Sequence, residues 1–357
     1  MSIHPKFGLA MIVRNESAII NRCLAQVRDH IGHWTIIDTG STDGTPHFIR
    51  EALNGIPGIV YDRPWVDFGH NRSELMQLAR GTAEQLILLD ADMVVEWNDE
   101  SLASIDFDAD INEVKVLGDL EYWMPYIVRG DREWKFRGAT HEYLDGDFEI
   151  GVHRTSHINF RHIGDGGSKS DKFTRDEVLL KKQIALEPDS PRWIFYLAQT
   201  RMSLGDGEGA IAAFRRRTEM GGWDEEIFWS LLQIGEILDA RGDWPEASIA
   251  FIAAWEYRPS RAEPLMALAA GFRARHMYAT ARMYVEQGMR LPVPDDKLFL
   301  RKWVYEWGLA FEFSVASWWL GDDEVAFPMW EDLLSRSDIS ATYRGAIESN
   351  LALRDSR

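Results

Sequence analysis

The chain has 357 residues and a formal net charge of −18, from 39 Lys and Arg against 57 Asp and Glu. Because sequence-independent nucleic-acid binding needs a basic surface, this balance argues against nucleic acid as a partner. No apolar run reaches the roughly 18 residues of a membrane-spanning helix.

The single cysteine, Cys23, excludes an intrachain disulfide. A reducing compartment fits this composition, although a cysteine-poor secreted protein would share it. The N-terminus lacks the long apolar stretch and cleavage site of a secretory signal. We therefore expect a cytoplasmic protein.

Before residue 170, short apolar runs alternate with amphipathic segments. This alternation predicts a parallel sheet covered by helices on both faces. The predicted strands span residues 7–13, 34–38, 59–61 and 85–90, and the predicted helices span 17–30, 45–54 and 72–80. Two later runs, 122–128 and 148–152, suit an antiparallel extension of the sheet.

After residue 170 the sequence becomes helical, and a spacing of small, small and large residues recurs at offsets 0, 12 and 16. Small residues let two antiparallel helices approach closely, and the large residue fills the space beside them. The copies are Ala198/Ala210/Phe214, Gly235/Ala247/Phe251, Ala269/Ala281/Val285 and Ser314/Ala326/Trp330. The spacing resembles the tetratricopeptide repeat (TPR), with coincidence among Ala-rich helices as the alternative. We predict an α/β domain over 1–170 and an all-α domain over 171–357.

Polar residues follow three of the predicted strands. Residues 13–16 (VRNE) end the first strand, Asp38 ends the second, and Asp90-Ala91-Asp92 closes the fourth. Ligands bind outside the carboxyl ends of strands in open α/β sheets, so these residues are expected to share one edge.

Asp90 and Asp92 differ by two positions, so on an extended chain their side chains point the same way. Two adjacent carboxylates repel each other unless a cation neutralises them, and hard oxygen ligands favour Mg²⁺ or Mn²⁺. A second acidic cluster, 106–110, follows a polar stretch and is interpreted as a solvated loop.

Residues 11–16, 37–45 and 88–92, in that order, resemble the family 2 glycosyltransferases of the GT-A fold. The resemblance covers roughly residues 5–165. It implies a nucleotide-sugar donor such as a UDP- or GDP-sugar, a divalent cation and inversion at the anomeric carbon. It also implies that the first strand end and Asp38 hold the nucleoside, that Asp90 contacts ribose or metal, and that Asp92 binds the metal.

Residues 134–144 (WKFRGATHEYL) are similar to a segment found in members of this family that carry helical repeats. The resemblance puts Glu142 in the position of the acidic residue that deprotonates the acceptor. Inverting transfer needs one general base and charge stabilisation on the departing diphosphate. A surface glutamate is the alternative. Of the 15 tryptophans, we expect Trp134 beside a sugar and most others in the core of the repeats.

His162 resembles the C-terminal metal-binding histidine of GT-A enzymes, although His153 and His157 lie on the same stretch. Residues 164–172, with Lys169 and Lys172, are expected to form either a mobile lid over the diphosphate or a linker.

Asn71-Arg72 reverses the Arg-Asn order of the family. An arginine at a helix N-terminus can still bind phosphate, with a surface salt bridge as the alternative. The residues expected to bind the donor are Val13, Arg14, Asn15, Glu16, Asp38, Arg72, Asp90, Ala91 and Lys172. Those expected to bind the metal are Asp90, Asp92 and His162.

The hypothesis is an inverting glycosyltransferase whose repeats recognise a protein or peptide acceptor, with glycans open and a homodimer through the repeats considered. A catalytically inactive adaptor is the alternative. A nucleotidyltransferase would want a Gly-rich basic loop after the first strand, and residues 13–16 contain no glycine.

Overall fold

The computed structural model describes residues 6–98, 100–118, 121–166 and 172–356. The chain forms two compact units, residues 1–196 and 197–357.

The first unit contains a mixed sheet of eight strands in the order β3-β2-β1-β4-β7-β6-β10-β5, and β8 pairs with β9 in a separate hairpin. The strands are β1 Phe7–Val13, β2 His33–Asp38, β3 Gly58–Asp62, β4 Gln85–Leu88, β5 Met93–Glu96, β6 Ile111–Leu117, β7 Tyr122–Arg129, β8 Lys135–Arg137, β9 Tyr143–Asp145 and β10 Val152–His162. Strands β1 to β4 run parallel. Strand β7 is antiparallel to both β4 and β6, as expected for the extension.

The predicted strand over 148–152 is wrong, because only its last residue belongs to β10. Phe148 instead packs its ring on Trp134, with 5.1 Å between the centroids.

The α-helices that begin among the described residues of this unit are α1 Ile20–Val27, α2 Thr45–Ala52, α3 Phe68–Ala79, α4 Lys172–Leu186 and α5 Pro191–Ser203. The continuous apolar run of β1 is explained by burial on both faces of the sheet. Leu9 and Met11 pack in the cluster that contains α1, whereas Ala10 packs with Leu75 of α3.

The second unit consists of helices that pack in sequence, each against the next. They are α6 Gly207–Glu219, α7 Asp224–Ala240, α8 Trp244–Tyr257, α9 Glu263–Ala274, α10 Tyr278–Gly288, α11 Leu309–Trp319, α12 Asp323–Ser335 and α13 Ala341–Leu351. A π-helical turn, Val304–Gly308, precedes α11. None of the described helices is long and apolar enough to cross a bilayer.

The repeat prediction is confirmed by the packing of these helices. The residues at offsets 0, 12 and 16 of every copy are buried. In the second copy, a Cβ at Gly235 would lie 2.5 Å from the ring of Phe251. The small residue therefore makes room for the large one, and the α/β then all-α fold class holds.

The compact units divide within α5, whereas the sequence changes character near residue 170. Trp193 of α5 lies against Gly138, where an added Cβ would come within 2.3 Å of the indole ring. Helix α4 and the start of α5 are thus integral to the first unit.

Candidate active site

The loops after β1 and β2 lie together, because Val13 and Asp38 are register partners at the ends of these strands. Asn15 adopts a left-handed backbone conformation with φ of 55°. Its N–H donates to Ser41 Oγ (2.8 Å), and its Oδ1 accepts from the Thr42 N–H (2.8 Å). The two loops are therefore locked to each other.

Carboxylates inside these loops hold the turn. Asp38 is 6% exposed and accepts hydrogen bonds from the N–H and the hydroxyl of Ser41. Partial burial opposes ionisation of Asp43, but hydrogen bonds from Thr45 and Ser17 outweigh it and lower the pKa of Asp43.

Arg14 projects from the same edge and is exposed. Its guanidinium makes no ion pair within the described part of the chain, which leaves a cation beside the loops. The neighbouring Glu16 N–H donates to Thr45 Oγ1 at 2.8 Å.

Asp90 and Asp92 contact different partners. Asp90 Oδ1 lies 2.7 Å from Arg72 Nη2, and Asp92 Oδ2 lies 2.9 Å from His162 Nε2. The Met93 N–H donates to the Asp90 carbonyl (3.1 Å), so the chain turns here, and the intervening Ala91 is buried in the core. Within the described ranges, no three Asp, Glu, His or Cys side chains are grouped as metal ligands.

The contact between Asp92 and His162 follows from the sheet, since His162 is the register partner of Met93 where β10 pairs with β5. The hydrogen bond to Asp92 raises the pKa of His162. Burial opposes ionisation of Asp92, but the His162 contact lowers its pKa overall.

The competing histidines lie elsewhere. His157 Nδ1 is 3.2 Å from Glu100 Oε2, and His153 Nε2 is 3.0 Å from the Ser104 carbonyl oxygen. Of the three, the structure places His162 against Asp92.

The chain leaving β10 is tied to α1, because Arg22 donates two hydrogen bonds to Asp165, of 2.6 and 2.8 Å. A Cβ on Gly166 would lie 3.4 Å from both Asp92 Oδ2 and Glu16 Oε1, so the two carboxylates face the same point. Residues 167–171, including Lys169, lie outside the described residues, and the lid stays a prediction. Lys172 begins α4.

Glu142 lies between the hairpin strands β8 and β9, just before β9 begins. Its side chain is only 13% exposed, and Oε1 lies 2.7 Å from Arg72 Nε. Burial raises the pKa of Glu142, and the charge of Arg72 opposes that rise. The alternative of a surface glutamate is wrong.

The loop before Glu142 is held by two helices. The Phe68 N–H of α3 donates to the Ala139 carbonyl (3.1 Å). Arg192 of α5 donates two hydrogen bonds to the His141 carbonyl oxygen, of 3.2 and 3.0 Å. His141 has φ of 51° and stacks its ring on Tyr196, 4.1 Å between centroids. Burial, reinforced by Lys172 and Arg192, lowers the pKa of His141 to about 4.

Asn71 and Arg72 make different contacts. Asn71 is fully buried, accepts from the Val66 N–H (3.0 Å) and donates to the Pro64 carbonyl (3.1 Å). Arg72 is the residue whose side chain reaches the acidic groups. It is 13% exposed, so its salt bridges are not surface pairs.

Two expectations about neighbouring residues are corrected. Trp134 is 2% exposed and donates its indole N–H to the Arg129 carbonyl (2.8 Å), so its placement beside a sugar is wrong. In the second acidic cluster, Asp106 and Asp108 are exposed as expected, but Asp110 is buried and paired with Arg132 at 2.7 Å.

Tyr126 also lies in this region, although no local sequence pattern points to it. Strand β7 pairs Ile127 with Ile87, which brings Tyr126 next to the end of β4. Burial, together with the charge of Asp90, raises the pKa of Tyr126 well above its ordinary value. Its phenol therefore belongs to the surroundings of the Asp90 and Arg72 pair.

Residues 9–102 match the model of the family described as Glycosyl transferase family 2. The chain is 26% identical over 231 residues to the SPbeta prophage-derived glycosyltransferase SunS of Bacillus subtilis, covering 58% of this chain and 52% of that protein. It therefore spans about half the length of this relative. A TPR repeat-containing protein of Synechococcus elongatus is 39% identical over 86 residues, or 24% of this chain and 20% of that protein.

Similar solved structures include MamA, with a TM-score of 0.38 and 14% identity over 46% of this chain and 87% of that chain. The TPR protein TTC0263 of Thermus thermophilus has a TM-score of 0.37 and 13% identity over 51% of this chain and 92% of that chain. Residues 9–102, which include the loops after β1, β2 and β4, are thus similar to a glycosyltransferase family 2 domain.

Proposed function

We propose that this protein transfers a sugar, with inversion, from a nucleotide-diphosphate sugar to an acceptor nucleophile. The observation that carries the proposal is the contact of one side chain, Arg72, with both Asp90 and Glu142. It joins the loop after β4 to the residue that precedes β9. The family match over residues 9–102 supports the same chemistry.

On the donor side, the interlocked loops after β1 and β2 would hold the nucleoside, through Val13 and Asp38. The exposed guanidinium of Arg14 would meet the diphosphate, because arginine pairs with phosphate oxygens through charge-assisted hydrogen bonds. Lys172 is proposed to add a second positive charge at the start of α4.

Asp92 and His162 fit a divalent cation. One carboxylate oxygen and one imidazole nitrogen stand 2.9 Å apart, and Mg²⁺ or Mn²⁺ sites commonly combine few protein ligands with substrate phosphate oxygens. Arg72 holds Asp90 through Oδ1, so Asp90 would bind the same cation through its other carboxylate oxygen. A bound cation would stabilise negative charge on the departing diphosphate.

On the acceptor side, Glu142 would act as general base. The acceptor nucleophile forms a bond to the anomeric carbon, the bond from that carbon to the diphosphate oxygen breaks, and the acceptor proton passes to the Glu142 carboxylate. Burial favours the protonated acid, which cannot accept this proton, and Arg72 favours the carboxylate that can. We propose a polypeptide acceptor, since helical repeats present extended surfaces suited to chains, with glycans as the other candidate class.

The test is release of nucleoside diphosphate from a panel of UDP- and GDP-sugars with Mn²⁺ or Mg²⁺. Wild type should turn over at least one donor, lose activity in chelator and regain it with the cation. Asp92→Ala and Glu142→Gln should lose activity.

Matched controls are Asp108→Asn, in the exposed part of the second acidic cluster, and Glu133→Gln, whose side chain is 64% exposed. Both should keep wild-type rates. Wild-type turnover by Glu142→Gln would overturn the base assignment, and full activity in chelator would remove the cation.

A further inference from the structure

Arg72 is a largely buried cation held between two carboxylates from different parts of the chain. Its Nη2 donates to Asp90 Oδ1 at 2.7 Å. Its Nε lies 2.7 Å from Glu142 Oε1, within ion-pair range, although its N–H is not aligned for a hydrogen bond. The guanidinium also lies 5.8 Å from the centroid of the Phe136 ring.

The position of Arg72 on α3 is fixed from both sides. The side chain of the preceding residue, Asn71, makes hydrogen bonds to the backbone before the helix. Its successor, Ser73, accepts from the Phe136 N–H at 2.8 Å, on the hairpin that leads to Glu142. Gly69 approaches the same hairpin so closely that an added Cβ would lie 2.3 Å from the Gly138 carbonyl oxygen. The helix and the hairpin therefore hold the arginine and its partner in one register.

The two carboxylates need an arginine rather than a lysine. A guanidinium presents donors in a rigid planar fork, so one side chain can meet two acceptors at once, whereas an ammonium is a point charge on a flexible stem. Removing one member of a buried ion pair leaves the remaining charge uncompensated, which is strongly unfavourable.

We propose that Arg72 is a positioning residue that orients the Glu142 carboxylate for the acceptor and takes its own orientation from Asp90. This inference rests on the proposed function and deepens it. Arg72 acts through Glu142, so its loss should slow transfer far more than it weakens donor binding. Without Arg72 the Glu142 carboxylate loses its ion pair with the guanidinium.

The experiment compares Arg72→Gln, Arg72→Lys, Glu142→Gln and the Arg72→Gln/Glu142→Gln double variant with wild type. Arg80→Gln is the matched control, an arginine 50% exposed after the end of the same helix. The readouts are kcat for transfer, KM for the donor and the Kd of nucleoside diphosphate with Mn²⁺.

Arg72→Gln should lower kcat on the order of 100-fold, the lower end of a general-base contribution, while donor KM changes only a few-fold. Arg72→Lys should regain part of that loss. In the Glu142→Gln background the Arg72→Gln change should cost nothing further, because residues that act as a unit are not additive. Arg80→Gln should match wild type.

Unchanged kcat with raised donor KM in Arg72→Gln would overturn the inference and make Arg72 a donor-binding residue. Additive losses in the double variant would also overturn it. If Arg72→Gln does not fold, Arg72→Lys decides, and a wild-type kcat there refutes the inference. These outcomes differ from failure of the proposed function, in which wild type itself turns over no donor.

Discussion

Gly138→Ala tests whether the packing of α5 against the hairpin controls the loop that carries Glu142. Gly138 has φ of 104°, a conformation that L residues rarely adopt, and an added Cβ would lie 2.3 Å from the ring of Trp193. The left-handed backbone costs roughly 1–2 kcal/mol and overpacking a dense interior about 1–3 kcal/mol. The free energy of unfolding of the first unit should therefore fall by about 2–5 kcal/mol.

Gly81→Ala is the matched control. Gly81 also has positive φ, 75°, but no atom lies within 4 Å of an added Cβ. It should show the backbone cost alone, about 1–2 kcal/mol. Denaturant unfolding gives both values, and nucleoside-diphosphate release should fall in Gly138→Ala only.

Trp193→Leu combined with Gly138→Ala should recover part of the steric cost, because the atoms that clash with the new methyl are gone. Equal destabilisation by Gly138→Ala and Gly81→Ala, or additive effects of the two changes at this contact, would refute the reasoning.

Three further outcomes are expected. Arg192→Leu removes the hydrogen bonds to the His141 carbonyl oxygen and should lower kcat about 10-fold or more at unchanged donor KM. An unchanged kcat in steady-state kinetics would contradict this. Gly235→Ala places a methyl group against the Phe251 ring and should lower the free energy of unfolding of the second unit by about 1–3 kcal/mol. Gly345→Ala lies in open space on α13 and should raise that free energy by up to about 1 kcal/mol. Thermal unfolding in which both variants shift stability in the same direction would contradict this. Because burial raises the pKa of Glu142, the transfer rate should decline with falling pH at a midpoint above the pKa of an ordinary glutamate, about 4.3. A rate that stays constant over that pH range would count against Glu142 as the base.

The strands and the shared edge could be predicted because their signals are local. Continuous apolar runs fix β1, β2 and β4, and a polar residue after such a run must lie at the strand end. The β8–β9 hairpin has no such signal, since each of its strands spans three residues. Trp134 is buried through that hairpin, so its closeness in sequence to Glu142 does not place it beside a sugar.

The choice among the histidines needed the fold. His157 and His162 differ by five positions, which puts them on opposite faces of a regular strand. Strand β10 shifts register between Arg154 and Asn159, so a parity argument does not carry across the strand. The decisive contact is the pairing of β10 with β5, a long-range fact absent from the local pattern.

The helix that carries Arg72 starts earlier than the sequence pattern predicts, and this changes which groups Arg72 can reach. The sequence pattern predicts a helix that starts at Arg72, but α3 begins at Phe68, where Asp67 caps it by accepting from the His70 N–H at 2.7 Å. Arg72 therefore lies in the second turn, away from the free N–H groups that bind phosphate at a helix start. From there its side chain points to Asp90 and Glu142.

The positions of Asp90 and Asp92 also depend on the observed backbone geometry. On an extended chain they would face one cation together, but the chain turns at Asp90 and buries Ala91, so each carboxylate meets a different partner. A divalent ion that bound both carboxylates would share Asp90 with Arg72, which already holds Oδ1. Because Arg72 also pairs with Glu142, a change in the position of Asp90 would reach the proposed base. Under the proposed function the two acidic residues of the motif would have different roles. Asp92 would face the donor cation, and Asp90 would link the donor side to the acceptor side through Arg72.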